Sequence, residues 1–214
     1  REWTSLVESK SGERGIFNRL SAKDQASKYG RRDPNYDFGC NPCSEIILRP
    51  YQFCNLTEVV IRAKDKFDDL KRKVMLATIL GTAQATLTKF PYLRKIWNTN
   101  TEEERLLGVS LTGIMDNPLT NGKKHGLEKT LKALREVAVE TNKEWSAIFG
   151  IPQSAAITCV KPSGTVSQLV DSSSGIHPRH SSYYIRTVRG DNKDPLTNFM
   201  VDSGIPSEAD FMKP

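Results

Sequence analysis

A chain of 214 residues, 37% of them hydrophobic, is long enough to bury one sizeable core or two small ones. No apolar run approaches the roughly 18–20 residues that a membrane helix needs, and the chain opens without a basic-then-apolar export signal, so a cytoplasmic location is expected. The excess of 31 Lys+Arg over 25 Asp+Glu leaves a net charge of +6, which favours an anionic partner but is more ordinarily a solvated basic surface.

From 1 to 37 the sequence is polar and without sustained period, so it reads as loops with one short helix around Ser21 to Tyr29. Ser44 to Leu48, flanked by Pro42 and Pro50, fits a buried strand or the base of a loop. Between Asp65 and Phe90, Phe67, Leu70, Val74 and Ala77 share one face of a helix closed by Pro91. Thr101 and Glu104 form a capping-box pattern that opens a helix carrying Leu107, Leu111 and Ile114, ended by Asn117-Pro118. A third helix runs through Leu127, Leu131, Leu134, Ala138, Thr141, Trp145 and Ile148 to Gly150, with Trp145 expected in the core. Two β-prone runs come next, Ala155 to Val160 and Tyr183 to Val188, and helices alternating with buried strands argue for an α/β architecture. There is no internal repeat, and one domain or part of one is the simplest organisation; Arg1 at the start and the unfinished stretch at Pro214 look like cuts in a longer chain.

Chemistry concentrates around the cysteines. Cys40, Cys43, Cys54 and Cys159, in a chain without an export signal, are expected to be reduced, catalytic or metal-binding. Asn41-Pro42-Cys43-Ser44-Glu45 sets a thiol between an amide and a carboxylate; in an extended loop all three would face one substrate, as radical or acid-base work on a polyol requires. The alternative for these residues is an ordinary turn with a buried cysteine, and the two weigh about evenly on five residues alone. Cys54 follows before Asn55-Leu56 as a second thiol that could close a disulfide. Lys161-Pro162-Ser163-Gly164-Thr165-Val166-Ser167, after a predicted strand, offers small residues, hydroxyls and backbone N–H groups for a phosphate, although it lacks the spacing of a Walker loop. His177 and His180 are poorly spaced for a metal site with Cys40 and Cys43, so none is expected.

Together these segments carry a resemblance. Asn41-x-Cys43-x-Glu45 followed by Cys54-Asn55-Leu56 resembles the active-site loop of ribonucleotide reductases. Pro162-Ser163-Gly164-Thr165 and Ser173-Ser174-Gly175-Ile176-His177-Pro178 resemble the substrate-phosphate region of the same family, in the same order. Gly12-Glu13-Arg14-Gly15-Ile16-Phe17-Asn18 is similar to a stretch preceding the cysteine loop there, with Arg14 in place of a proline that would stiffen the turn.

The resemblance implies that Cys43 is the transient thiyl radical that takes hydrogen from the 3′ carbon of ribose, and that Glu45 accepts the 3′-hydroxyl proton. It further implies that Asn41 holds substrate, that Cys54 is one of two thiols reducing the 2′ position, and that Pro162, Ser163, Gly164, Thr165 and Ser167 hold phosphate. Having both Asn41 and Glu45 points away from the glycyl-radical class. The short interval from Cys43 to Cys54, with the Pro-Cys-Ser-Glu-Ile and Val-Lys-Pro-Ser-Gly-Thr wording, resembles the adenosylcobalamin-dependent enzymes most.

The fold implied by that family is a ten-stranded α/β barrel with the cysteine on an internal finger loop, of which this chain supplies part. Its expected divisions are a polar stretch 1–37, a radical-cysteine loop 38–56, a helical scaffold 65–149, and a phosphate-binding and C-terminal barrel segment 155–214. Adenosylcobalamin is the implied cofactor, with no residue of this chain assigned to hold it. The implied partners are a ribonucleoside triphosphate or diphosphate, an external dithiol such as thioredoxin, and a complementary reductase chain. The second reducing cysteine and the C-terminal reloading pair have no counterpart here, and Cys159 reads as a small core residue. Two other readings compete. One is a non-catalytic nucleotide-binding fragment that complements a split reductase, against which stands the retention of Asn41, Cys43, Glu45 and Cys54 together. The other is a basic nucleic-acid-binding module, against which Trp145 and Phe67 sit on helix faces, not interleaved with basic residues.

Overall fold

A computed structural model describes residues 1–10 and 15–210 of the chain. The Gly12-Glu13-Arg14 part of the first motif therefore lies outside the described residues; its remaining Asn18 caps a helix, accepting the Ser21 N–H at 3.0 Å. That helix, α2 (Arg19–Ser27), matches the expected one, whereas α1 (Glu2–Ser9) falls where loops were expected and buries no residue. Strands β1 (Gly39–Cys40) and β2 (Ile47–Leu48) pair antiparallel as a small hairpin.

Beyond the hairpin, β3 (Asn55–Val60) leads into α3 (Phe67–Gln84), then α4 (Lys95–Glu104), β4 (Leu107–Thr112) and α5 (Leu127–Phe149). β3 and β4 run parallel in register Asn55 with Leu107 through Val60 with Thr112, and a single parallel bridge, Val109 with Thr158, extends the sheet beyond β4. Side chains alternate across such a sheet. One face, with Val59, Leu107, Val109 and Ile157, packs on Leu70 and Val74 of α3 and on Leu134 and Ala138 of α5 to form the core. The other face carries Cys54 just before β3, then Leu56, Glu58, Gly108, Ser110 and Thr112.

Four expectations are corrected. The helix expected to begin at Thr101 instead ends at Glu104, where Arg105 turns left-handed (φ 44°), and Leu107 to Thr112 is strand. Leu107 and Leu111 are four apart, a spacing that fits a helix face and a strand face equally, while intervening Gly108, Ser110 and Thr112 supply the period of two. α3 stops at Gln84, short of Pro91, because the Thr86 and Leu87 N–H groups turn back to Ala83 and Gln84. α5 matches in extent and ends at a left-handed Gly150, but its buried face is turned toward Thr141, Asn142 and Ser146, leaving Trp145 half-buried against Phe149 and Ile148 exposed. Asn142 satisfies itself by donating to Thr82 and Ser154, 3.0 Å each, so a polar seam joins the helices.

The fourth concerns the last β-prone run. A second compact unit begins at His180, and in it, among the described residues, Tyr183 to Val188 pairs with no strand; Ile185 is 97% exposed. Its helix, α7 (Pro195–Asp202), is capped by Asp194 and opened by a proline.

Candidate active site

Asn41 to Ile46 closes the β1–β2 hairpin as a turn. Asn41 accepts the Ser44 N–H through its backbone carbonyl (2.9 Å) and the Ile46 N–H through its side chain (3.0 Å), and Ser44 adopts a left-handed φ of 62°. This corrects the expectation of an extended loop, because alternation does not hold through a turn. Cys43 stands exposed at the tip, whereas Glu45 turns inward with both carboxylate oxygens buried and no hydrogen-bond donor among the described residues. A buried carboxylate without a donor is costly, and it leaves the acceptor capacity of Glu45 open.

Glu45 looks toward the polar face of the sheet. Gly108, buried in β4, leaves room there: a Cβ on it would stand 2.4 Å from Leu56 Cδ2 and 3.1 Å from both Cys159 Sγ and Ile46 Cδ1. Burial pushes the Cys54 thiol up, with the Glu45 charge adding to it and Lys161 opposing. Burial first, and then the Glu45 charge, likewise raise Cys159 to about 12. All four cysteines are free. Cys159 lies across β4 from Cys54 and several residues further along the sheet, so their Cα atoms are more than two strand spacings, over about 10 Å, apart. A disulfide spans only about 4.4–6.8 Å between Cα atoms, which rules the pair out without backbone movement. Cys159 is thus a half-buried thiol beside the sheet, outside the apolar core in which it was expected.

The Pro162 to Ser167 segment covers the far end of the same face. Ser163 is buried in a left-handed conformation (φ 54°), and its hydroxyl donates to Glu58, which also accepts from Thr112 at 2.9 Å. The Ser167 hydroxyl donates to the Ser163 carbonyl. Both hydroxyls are therefore committed within the protein, which leaves Thr165 and the backbone around Gly164, both exposed, at the start of α6 (Val166–Leu169). Gly175 (φ 43°) brings Ser173 to His177 against this loop; a Cβ there would stand 2.5 Å from the Lys161 carbonyl. Glu58 is the site-facing residue that sequence reading misses, since its partner Ser163 is 105 positions away and no local pattern links them.

No family model matches the sequence. The chain is 30% identical over 233 residues to the adenosylcobalamin-dependent ribonucleoside-triphosphate reductase of Lactobacillus delbrueckii subsp. bulgaricus, covering 94% of this chain and 31% of the relative. It is 31% identical over 238 residues to the enzyme of that name from Lactobacillus gasseri, covering 95% and 31%. A probable adenosylcobalamin-dependent ribonucleoside-triphosphate reductase of Dictyostelium discoideum is 30% identical over 174 residues, covering 81% and 22%. The crystal structure of a B12-dependent, class II ribonucleotide reductase superimposes with a TM-score of 0.62 at 26% identity, over 81% of this chain and 27% of that one. The chain spans about a third of the length of the curated relatives it matches.

Proposed function

The chain belongs to the ribonucleotide reductase family, and from that premise we propose that it supplies the cysteine loop and phosphate loop of an adenosylcobalamin-dependent ribonucleoside-triphosphate reductase. The observation that carries the reading is the division of labour at the turn: an exposed Cys43 thiol at its tip and an unpartnered Glu45 carboxylate beneath it.

In this reading the Cys43 thiyl takes a hydrogen atom from C3′ and Glu45 takes the 3′-hydroxyl proton. The Asn41 side-chain N–H₂, whose oxygen already serves Ile46, is left to orient substrate. Cys54 and a second thiol give up two electrons as the 2′-hydroxyl leaves as water; they close a disulfide that an external dithiol reopens. Thr165 and the backbone N–H groups around Gly164 take the phosphate, with Ser163 and Ser167 holding the loop's shape and Pro162 its entry. The α/β sheet then forms part of the family's barrel, with the cysteine turn as its finger loop.

Adenosylcobalamin, when bound, supplies the radical by homolysis of its cobalt–carbon bond. The exposed Cys43 thiol suits the receiving end of that radical. No residue here is assigned to grip the corrin.

The test is reduction of a ribonucleoside triphosphate by the purified chain with adenosylcobalamin and a dithiol, alone and mixed with the remainder of a relative's reductase, beside Cys43→Ala. Activity in either arm that Cys43→Ala abolishes supports the reading; full activity in Cys43→Ala ends the thiyl assignment.

A further inference from the structure

We propose that Glu104 and Arg32 are positioning residues that hold the cysteine turn in place through the base of its hairpin. The inference rests on the catalytic reading of Cys43 and names what keeps that thiol where it is needed.

Among the described residues nothing packs over the tip of the turn: Pro42, Cys43 and Ser44 are all exposed, and the bonds that shape the turn are internal to it. Its placement must come from its two legs. The guanidinium of Arg32, ahead of β1, meets Glu104 side by side, Nε to Oε1 and Nη2 to Oε2 at 2.9 Å each, and its third nitrogen donates to the Ile47 carbonyl of β2 at 2.7 Å. Arg49, just after β2, reaches Glu104 at 3.1 Å and Glu103 at 2.6 Å. Gln52 donates to Glu104 and accepts the Arg49 N–H at 2.8 Å. The segments entering and leaving the hairpin thus converge on one carboxylate at the last turn of α4, immediately before β4. Both Arg32 and Glu104 side chains are 4% exposed.

A buried ion pair such as Arg32 with Glu104 is a poor way to add stability, since desolvation offsets most of its attraction and apolar residues of equal size would hold as well. What a planar, bidentate fork adds is direction. A radical thiol must meet its substrate carbon within a narrow geometry, so a rigid support beneath an otherwise unsupported turn is what the chemistry requires.

The test uses Glu104→Gln in the 214-residue chain, with amide hydrogen exchange read residue by residue and a nitroxide attached to the exposed Cys43. Exchange at Ser44, Ile46 and Leu48 should rise by about tenfold or more, with Val59, Val109 and Leu134 within about twofold of the parent, and the nitroxide spectrum should sharpen. Should Glu104→Gln fold poorly, the paired Arg32→Met/Glu104→Leu chain, which removes both charges together, carries the same measurement. Unchanged exchange in the hairpin, or a rise shared equally by the core amides, overturns the proposal, since the cluster would then be idle or merely stabilising. These readouts need no turnover, so they stand apart from the Cys43→Ala assay that decides the catalytic reading.

Discussion

Cys43 and Cys159 place one functional group in opposite surroundings, and their reactivity should differ accordingly. Alkylation needs the thiolate, and burial disfavours it. With the folded chain near pH 8, iodoacetamide should modify Cys43 first, with Cys54 and Cys159 lagging, as peptide mass spectrometry would show; Cys159 labelling ahead of Cys43 would contradict the placement of both. The raised Cys159 value has a consequence for stability as well. The thiol's folded value stands at about 12 against 9.0 for a free one, so its favourable contribution is complete below pH 9 and is lost as pH climbs toward 12. Cys159→Ala should therefore flatten the alkaline side of the stability profile while leaving the neutral side less affected. At this scale much is legible in the sequence: Asn41, Cys43 and Glu45 announce themselves as a thiol between an amide and a carboxylate. The turn that parts them is not, because it depends on Ser44 taking a left-handed conformation that serine rarely shows.

Secondary structure is legible where one period dominates and misleading where two fit. α5 can be read almost to its ends, since its apolar steps run through 23 residues and stop at a glycine. β4 reads as helix because its leucines satisfy both periods, and β3 escapes a sequence reading because its pairing partner lies some fifty residues on. Gly108 is the residue that decides β4's role, since the space above it is what lets Ile46, Leu56 and Cys159 share one sheet face. Gly108→Ala forces its methyl into that space and should cost about 1–3 kcal/mol in urea unfolding, the range expected for overpacking. It should also change the Cys159 alkylation rate, which sets it apart from an ordinary core lesion. Leu70→Ala in α3, fully buried on the opposite face, should cost about 2–5 kcal/mol and leave the thiols' order of reactivity untouched. If both variants altered thiol reactivity alike, the separation of the sheet's two faces would be wrong.

Across the whole molecule, sequence motifs point to a family but do not show how much of its barrel the chain builds by itself. The described strands form one parallel pair, a bridge and a hairpin, and the chain spans 31% of its relative's length. β3 consequently presents its outer edge: among the described residues it pairs with β4 alone. Beside it runs a groove floored by Leu56 to Val60 and walled by α3, where Leu76 and Leu80 are 52% and 64% exposed. An open strand edge next to exposed leucines is a template for association. Two features oppose it. Lys73 donates to the Val60 carbonyl at 3.0 Å and blunts one end of the edge, and the net charge of +6 repels copies of the chain from one another. The balance should therefore depend on salt: screening weakens the repulsion but leaves apolar contact intact. Sedimentation of the purified chain should show association that grows with both protein concentration and ionic strength, and Leu76→Lys/Leu80→Lys should suppress it. A chain that stays monomeric at high salt would mean that Lys73 and the groove's own side chains already close the edge, whereas association that weakens with salt would place the contact among charged groups instead of at β3.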